Sequence, residues 1–242
     1  MTKKIVNILI FISFLIIIFS IYLINFGIET KRFNSLIKNE VKNQNNRIDI
    51  DLKKVKLHLD LKNFSLKIKT QDPVLIIDKE MKILIKEISS NISIASYFKN
   101  KFLLNNINIL THDNKLKKYL ALYLVFERTP QIILLNQIIK NGKLKFEVNI
   151  NFDENGKIKN NYKIIGEAKN IDFRILKYQN IKSLNFDFDI KENIYDFIGA
   201  SVNFNDINFK SDKISVLKQK KNFLVKGSLN SKTQKLNENF IK

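Results

Sequence analysis

Arg47 to Leu61 reads RIDIDLKKVKLHLDL, and its alternation decides the fold. Ile48, Ile50 and Leu52 fall on one side of an extended chain with polar residues between them. After Lys53-Lys54 the pattern resumes in Val55, Leu57, Leu59 and Leu61. Side chains of a strand point to alternate faces, so this period of two marks strands half-buried on a single face. The parity changes by one residue at the lysine pair, which predicts a bulge or tight turn there.

The same period returns in Phe64, Leu66 and Ile68, in Leu144 to Phe152, and in Leu184 to Ile190. Weaker runs lie at Ile83 to Ile88, Phe102 to Leu110, Lys157 to Ala168, Tyr195 to Phe204 and Asn222 to Ser228. Short polar turns such as Asp153-Glu154-Asn155-Gly156 and Lys191-Glu192-Asn193 join neighbours, as in an antiparallel meander. Two short helices interrupt it, Ser93 to Lys99 and Thr129 to Gly142. The second carries an N-cap Thr, a Pro at its first turn and a Gly past its end. Leu116 to Phe126 reads equally as helix or strand. The expected fold is therefore mainly β, a strongly curved antiparallel meander, groove-like or jellyroll-like, behind one N-terminal transmembrane helix.

That helix is read from Ile5 through Leu15 to Phe26, a stretch without charge and long enough to cross a hydrocarbon core. It is apolar on every face, unlike a surface helix. Lys3 and Lys4 precede it, and Tyr22 to Thr30 lacks the small-residue pair of a cleavage site, so an uncleaved signal anchor is expected. The organisation reads as residues 1–4 a basic leader, 5–27 the anchor, 28–46 an amphipathic helix or linker, 47–229 the β domain and 230–242 a polar tail. Basic residues after the span outnumber those before it, but this bias is weak for long translocated domains.

Forty-two Lys plus Arg against 23 Asp plus Glu give a net charge of +19. Only Arg32, Arg47, Arg128 and Arg174 are arginines, and the lysines are dispersed, which argues against a nucleic-acid partner. Cysteine is absent, there are two histidines, and the six glycines match no phosphate-binding loop, so no cofactor or metal is expected. Asp49 with Asp51, and Asp187 with Asp189, are carboxylate pairs on strand faces, and His58 and His112 each lie near an aspartate. None has a placed nucleophile or oxyanion site, so no enzyme activity is expected.

The anchor, the alternating hairpin Ile48 to Ile68, Ile83 to Ile88 leading into Asn91-Ile92-Ser93-Ile94, the run Phe102 to Ile109, and Asn161 to Gly166 followed by Phe186 to Ile190 together resemble the N-terminal part of the AsmA-like proteins. The resemblance implies an inner-membrane, single-pass protein with its large domain in the periplasm. It also implies a β-groove that moves phospholipid or supports the outer membrane. The plan of anchor plus β-jellyroll is also similar to LptC-like components of lipopolysaccharide export. Implied partners are phospholipid, with anionic head groups near the lysines, the inner membrane, and other envelope proteins or a second copy.

A two-tailed lipid with about thirty methylenes needs roughly 25 kcal/mol of shielding from water. Leu57, Leu59, Leu61, Phe64, Leu66, Phe146, Val148, Phe186 and Phe188 are the candidates for an apolar face that supplies it. The same residues would equally fill a dry core, since every half-buried strand alternates. A third reading is an assembly factor that offers a strand edge to envelope proteins.

Overall fold

A computed structural model of the chain describes residues 2–63, 65–93, 104–153, 155, 157–176, 179–220 and 222–231. The chain opens with helix α1, Thr2–Asn25. Its span Lys4–Asn25 is long and apolar enough to cross a membrane, and none of it is buried against the rest of the chain. A helix that meets the rest of the chain only near its C-terminal end, at β3, and shows Ile, Leu and Phe all round does not form a soluble core.

The helix stops at Gly27, whose φ of +67° lies in the left-handed region. A Cβ at this position would stand 2.7 Å from the Leu57 carbonyl oxygen and 2.8 Å from His58 Cε1. Strand β1, Ile28–Thr30, follows at once and pairs antiparallel with β3, Val55–Asp60, setting Ile28 opposite Leu57. The anchor therefore runs straight into the first edge of the sheet, a strand hidden within the stretch read as helix or linker. Helix α2, Arg32–Gln44, comes next and lies beside β2, Ile48–Asp51, with Lys38 and Lys42 each 3.4 Å from Asp49.

The remaining elements are β4 Ser65–Gln71, β5 Val74–Ile77, β6 Met81–Ser93, β7 Leu104–Thr111, β8 Asn114–Lys115, α3 Leu116–Phe126, α4 Pro130–Ile138, β9 Ile139–Asn151, β10 Lys163–Leu176, β11 Gln179–Lys191, β12 Ile194–Phe204, β13 Ile207–Lys218, β14 Phe223–Gly227 and β15 Asn230–Ser231. All the strands join one antiparallel sheet whose main path, β1-β3-β4-β6-β7-β9-β10-β11-β12-β13-β14, keeps chain order. This is the expected meander. The α4 helix starts as its N-terminal signals predict, with the Thr129 hydroxyl accepting from the Ile132 amide, but it ends at Ile138, four residues before the expected Gly142 stop, because the chain turns extended at Ile139 to enter β9, in which Gly142 lies. Leu116–Phe126 resolves as helix. Ser93, where a short helix was expected to begin, instead ends β6; the rest of that stretch, 94–99, and candidate Phe64 lie outside the described residues. Strand β13 was not foreseen, although Asn205-Asp206, both at positive φ, form the two-residue turn that joins it to β12.

The parity change at Lys53-Lys54 is shared by three neighbouring strands. β2 pairs with β5 and β3 with β4 in one continuous register, from Ile48 opposite Ile77 to Asp60 opposite Ser65. The ladder opens only at Leu52 to Lys54, facing Gln71 to Pro73. Asp72 there has φ +48°, and Pro73 has no N–H to give. On β6 the shift falls between Ile85 and Glu87. Ile85 and Ile88, three residues apart, consequently belong to the same apolar cluster. Positive-φ residues recur across β9 to β12 at Gly142, Asn170, Ser183 and Gly199, beside register shifts in each of those pairings.

The closed part of the core lies under α3. Ile77, Ile83 and Ile85 are buried there, with Tyr119, Leu122 and Val125 of the helix packed on them. Two polar side chains carry the ladder where β7 leaves β9. Thr111 Oγ1 accepts from the Phe146 amide at 2.9 Å and donates to the Phe146 carbonyl at 3.1 Å. Asn114 accepts from the Leu84 amide and donates to the Leu84 carbonyl, at 2.9 and 2.8 Å. Both are buried, where unpaired polar groups would be costly.

Gly27→Val forces a branched side chain into the left-handed region and against β3. It should lower stability by about 2 kcal/mol, measured as an earlier unfolding midpoint of the full chain in detergent.

Candidate functional site

Because the register holds between neighbours, the period of two becomes a property of the whole sheet. Val55, Thr70, Ile88, Ile109, Val148, Ile164, Ile190, Tyr195, Val216 and Val225 are successive cross-strand partners, a row apolar at every step except Thr70. A second row on the same face runs Phe146, Gly166, Phe188, Phe197, Ile214 and Gly227. A third begins at the anchor with Ile28, Leu57, Ile68, Ser90, Ile107 and Ile150.

Seven of the nine candidates, Leu57, Leu59, Leu66, Phe146, Val148, Phe186 and Phe188, share this face. Leu61 does not: it sits in the turn after β3 and is 57% exposed. The alternation carried it one step beyond the strand end, where Asp60 accepts from the Asn63 amide and closes the turn. Of the anchor residues, Ile5 and Leu15 are in α1 and Phe26 follows its last turn.

The face is half-buried along most of its length. Val55 and Thr70 are buried, Ile88 through Val216 are partly exposed, and Val225 is open to solvent. Helix α3 covers one portion, where Tyr119 meets Phe146 at 4.9 Å between ring centroids. Among the described residues every strand belongs to the same sheet, so no second sheet closes over the rest. Aromatic contacts stiffen the surface: Phe186 packs edge-on to Phe197 at 5.4 Å and lies 6.2 Å from Phe188. Gly166 sits between Phe146 and Phe188, and a Cβ there would overlap the Lys145 carbonyl and come within 2.6 Å of Phe188 Cζ.

The opposite face is a lattice of charge. Lys69 reaches Glu87 at 2.7 Å, Lys169 reaches Glu167 at 2.7 Å, Lys163 and Lys191 share Asp189, and Lys213 meets Asp196 at 2.9 Å. The Ser215 hydroxyl donates to Asp196 at 2.6 Å. That bond and the Lys213 ammonium hold the Asp196 carboxyl below its ordinary range. Asp49 and Asp189, each half of a carboxylate pair in the sequence, are thus bound by lysines. Beside β1, Glu29 and Asp72 share a cleft with Lys53, Lys54, Lys56, Lys69 and Gln71. Lys54 and Lys56 stand 2.8 and 3.3 Å from the Glu29 carboxylate. Among the described residues no group of three or more His, Asp or Glu is arranged to hold a metal ion.

No family model, curated protein or solved structure matches the chain.

Gly166→Val should destabilise the sheet by about 2 kcal/mol, because the Lys145 carbonyl and the Phe146 Cβ are fixed by the strand beside it; differential thermal unfolding reads it. Ser215→Ala should cost about 1 kcal/mol at neutral pH. Asp196 has a depressed folded pKa, so its contribution is present above the unfolded value of about 3.9 and is lost as the pH falls through the folded value. Melting curves of wild type and variant should therefore converge in acid.

Proposed function

We propose that this protein is a membrane-anchored lipid holder whose apolar sheet face shields acyl chains from water. The observation that carries the reading is the row across ten strands, apolar at every step but Thr70 and partly or fully exposed from Ile88 onward. Apolar area on that scale, held against water with no second sheet over it, is unusual unless a ligand covers it. Acyl chains suit it because they need extended apolar contact and no hydrogen bonds. The sheet path of eleven strands at about 4.8 Å spacing gives a surface roughly 50 Å long, enough to take a phospholipid along it.

The anchor supports a membrane source for the ligand, since its helix enters the sheet through two residues. The lysines beside β1 lie on the charged side at the edge of the sheet, where an anionic head group reaching round that edge would meet them. In this reading α1 sits in an inner membrane and the sheet lies in a periplasm, as in the AsmA-like proteins the sequence resembles, and lipid passes toward an outer membrane. The chemistry needs no bond made or broken: hydrophobic transfer drives loading, and release requires an acceptor of equal apolarity.

A photoreactive residue placed at Val148 should crosslink phospholipid in intact membranes, and one at neighbouring Asn149 on the charged face should not. Phospholipid should also co-purify with the full chain in mild detergent, detected by mass spectrometry. Equal labelling from both faces, or no lipid from either experiment, defeats the reading.

A further inference from the structure

The two ends of the sheet differ. At the first, β1 is short and continues from the membrane helix. At the last, β14 has no partner on its outer side among the described residues, and Phe223, Leu224 and Val225 are 62%, 40% and 62% exposed. An open, apolar edge strand is a template for another strand.

The hydrogen-bond phase of this edge is determined by the turn before it. The Gln219 amide donates to the Asn222 carbonyl at 2.8 Å, which makes that couple a hydrogen-bonded pair. Antiparallel ladders alternate, so Leu217 and Leu224 bond to each other, whereas Lys218 with Phe223, Val216 with Val225, and Ile214 with Gly227 are non-bonded pairs. The N–H and C=O groups of Phe223, Val225 and Gly227 thus point outward.

We infer that β14 pairs with β14 of a second copy, antiparallel about a two-fold axis at Val225, joining two sheets into one. In this register all three outward-facing residues meet outward-facing residues. Phe223 of each copy stands opposite Gly227 of the other, so each ring covers a residue without a side chain. Val225 faces Val225. On the other face Lys226 stands opposite Leu224 of the second copy, so no like charges meet. Moving the axis to Lys226 would set the two lysines against each other, which disfavours that slip. A two-fold axis normal to the sheet keeps faces in common, and the row that ends in Val216 and Val225 continues into Val225 and Val216 of the second copy. The inference stands on the edge alone and does not depend on what the face binds.

The chain contains no cysteine, which permits a direct test on the full protein in detergent. Val225→Cys should form a disulfide-linked dimer under mild oxidation, and Lys213→Cys, one strand inward on the charged face, should not. Val225→Pro removes an outward N–H and leaves the bonds to β13 intact. Two donors are lost across the axis, each worth about fivefold, so dimer dissociation should rise about 25-fold by light scattering with the far-UV spectrum unchanged. Val225→Lys, which places like charges on the axis, should weaken the dimer in the same way should the proline variant fail to fold. A monomer at every concentration, equal crosslinking from positions 213 and 225, or a dimer insensitive to the folded variants would overturn the inference.

Discussion

The antiparallel ladder imposes the constraint on which the rest depends. Each residue of a strand is locked by hydrogen bonds to a residue of its neighbour, and side chains alternate between faces. A slip of one residue anywhere would carry every later apolar side chain to the wrong face. The protein avoids this by placing its irregularities beside one another. The break at Leu52 to Lys54 is matched at Gln71 to Pro73 and again at Ile85 to Glu87. Gly142, Asn170, Ser183 and Gly199 mark a similar series across β9 to β12. Through both series one face stays apolar from Val55 to Val225.

Charge is disposed by the same rule. A net +19 on 242 residues would repel itself if lysines crowded together. Many instead alternate with the apolar residues and so fall on the other face, where Glu87, Glu167, Asp189 and Asp196 meet them. The lysines of these pairs reach the surface while the carboxylates are partly buried, and each pair adds little stability. Their effect is on specificity: a strand paired out of register would bring lysine onto the apolar rows. Of the carboxylate pairs seen in the sequence, Asp189 belongs to this lattice and Asp49 is held by Lys38 and Lys42 of α2.

Much of this was legible in advance because a period of two survives in a single chain. Leu57, Leu59, Leu66, Phe146, Val148, Phe186 and Phe188 could be assigned to a common kind of face from alternation alone, and Thr129 with Pro130 marked the start of α4, whereas Gly142 belongs to β9 and does not end that helix. Errors arose where local pattern and hydrogen bonding part company. Leu61 kept the alternation but left the strand, because Asp60 turns the chain. Ile28–Thr30 is too short to show a period and is a strand only because β3 lies beside it. In β13, the run from Ile207 to Val216 hides its alternation across Ser211 to Lys213, although the Asn205-Asp206 turn announced a hairpin.

By itself, then, the sequence determined the class of structure, an apolar helix long enough for a membrane and a meander of strands with one apolar side, because helix length and strand alternation are local properties. It also excluded thiol and phosphate-loop chemistry by composition. Tertiary structure decided whether those sides coincide, how fully they are covered, and which edge lacks a partner among the described residues. These depend on register between residues far apart in the chain, on α3 folding over Ile77, Ile83, Ile85 and Phe146, and on the hydrogen-bond phase that turns Phe223, Val225 and Gly227 outward.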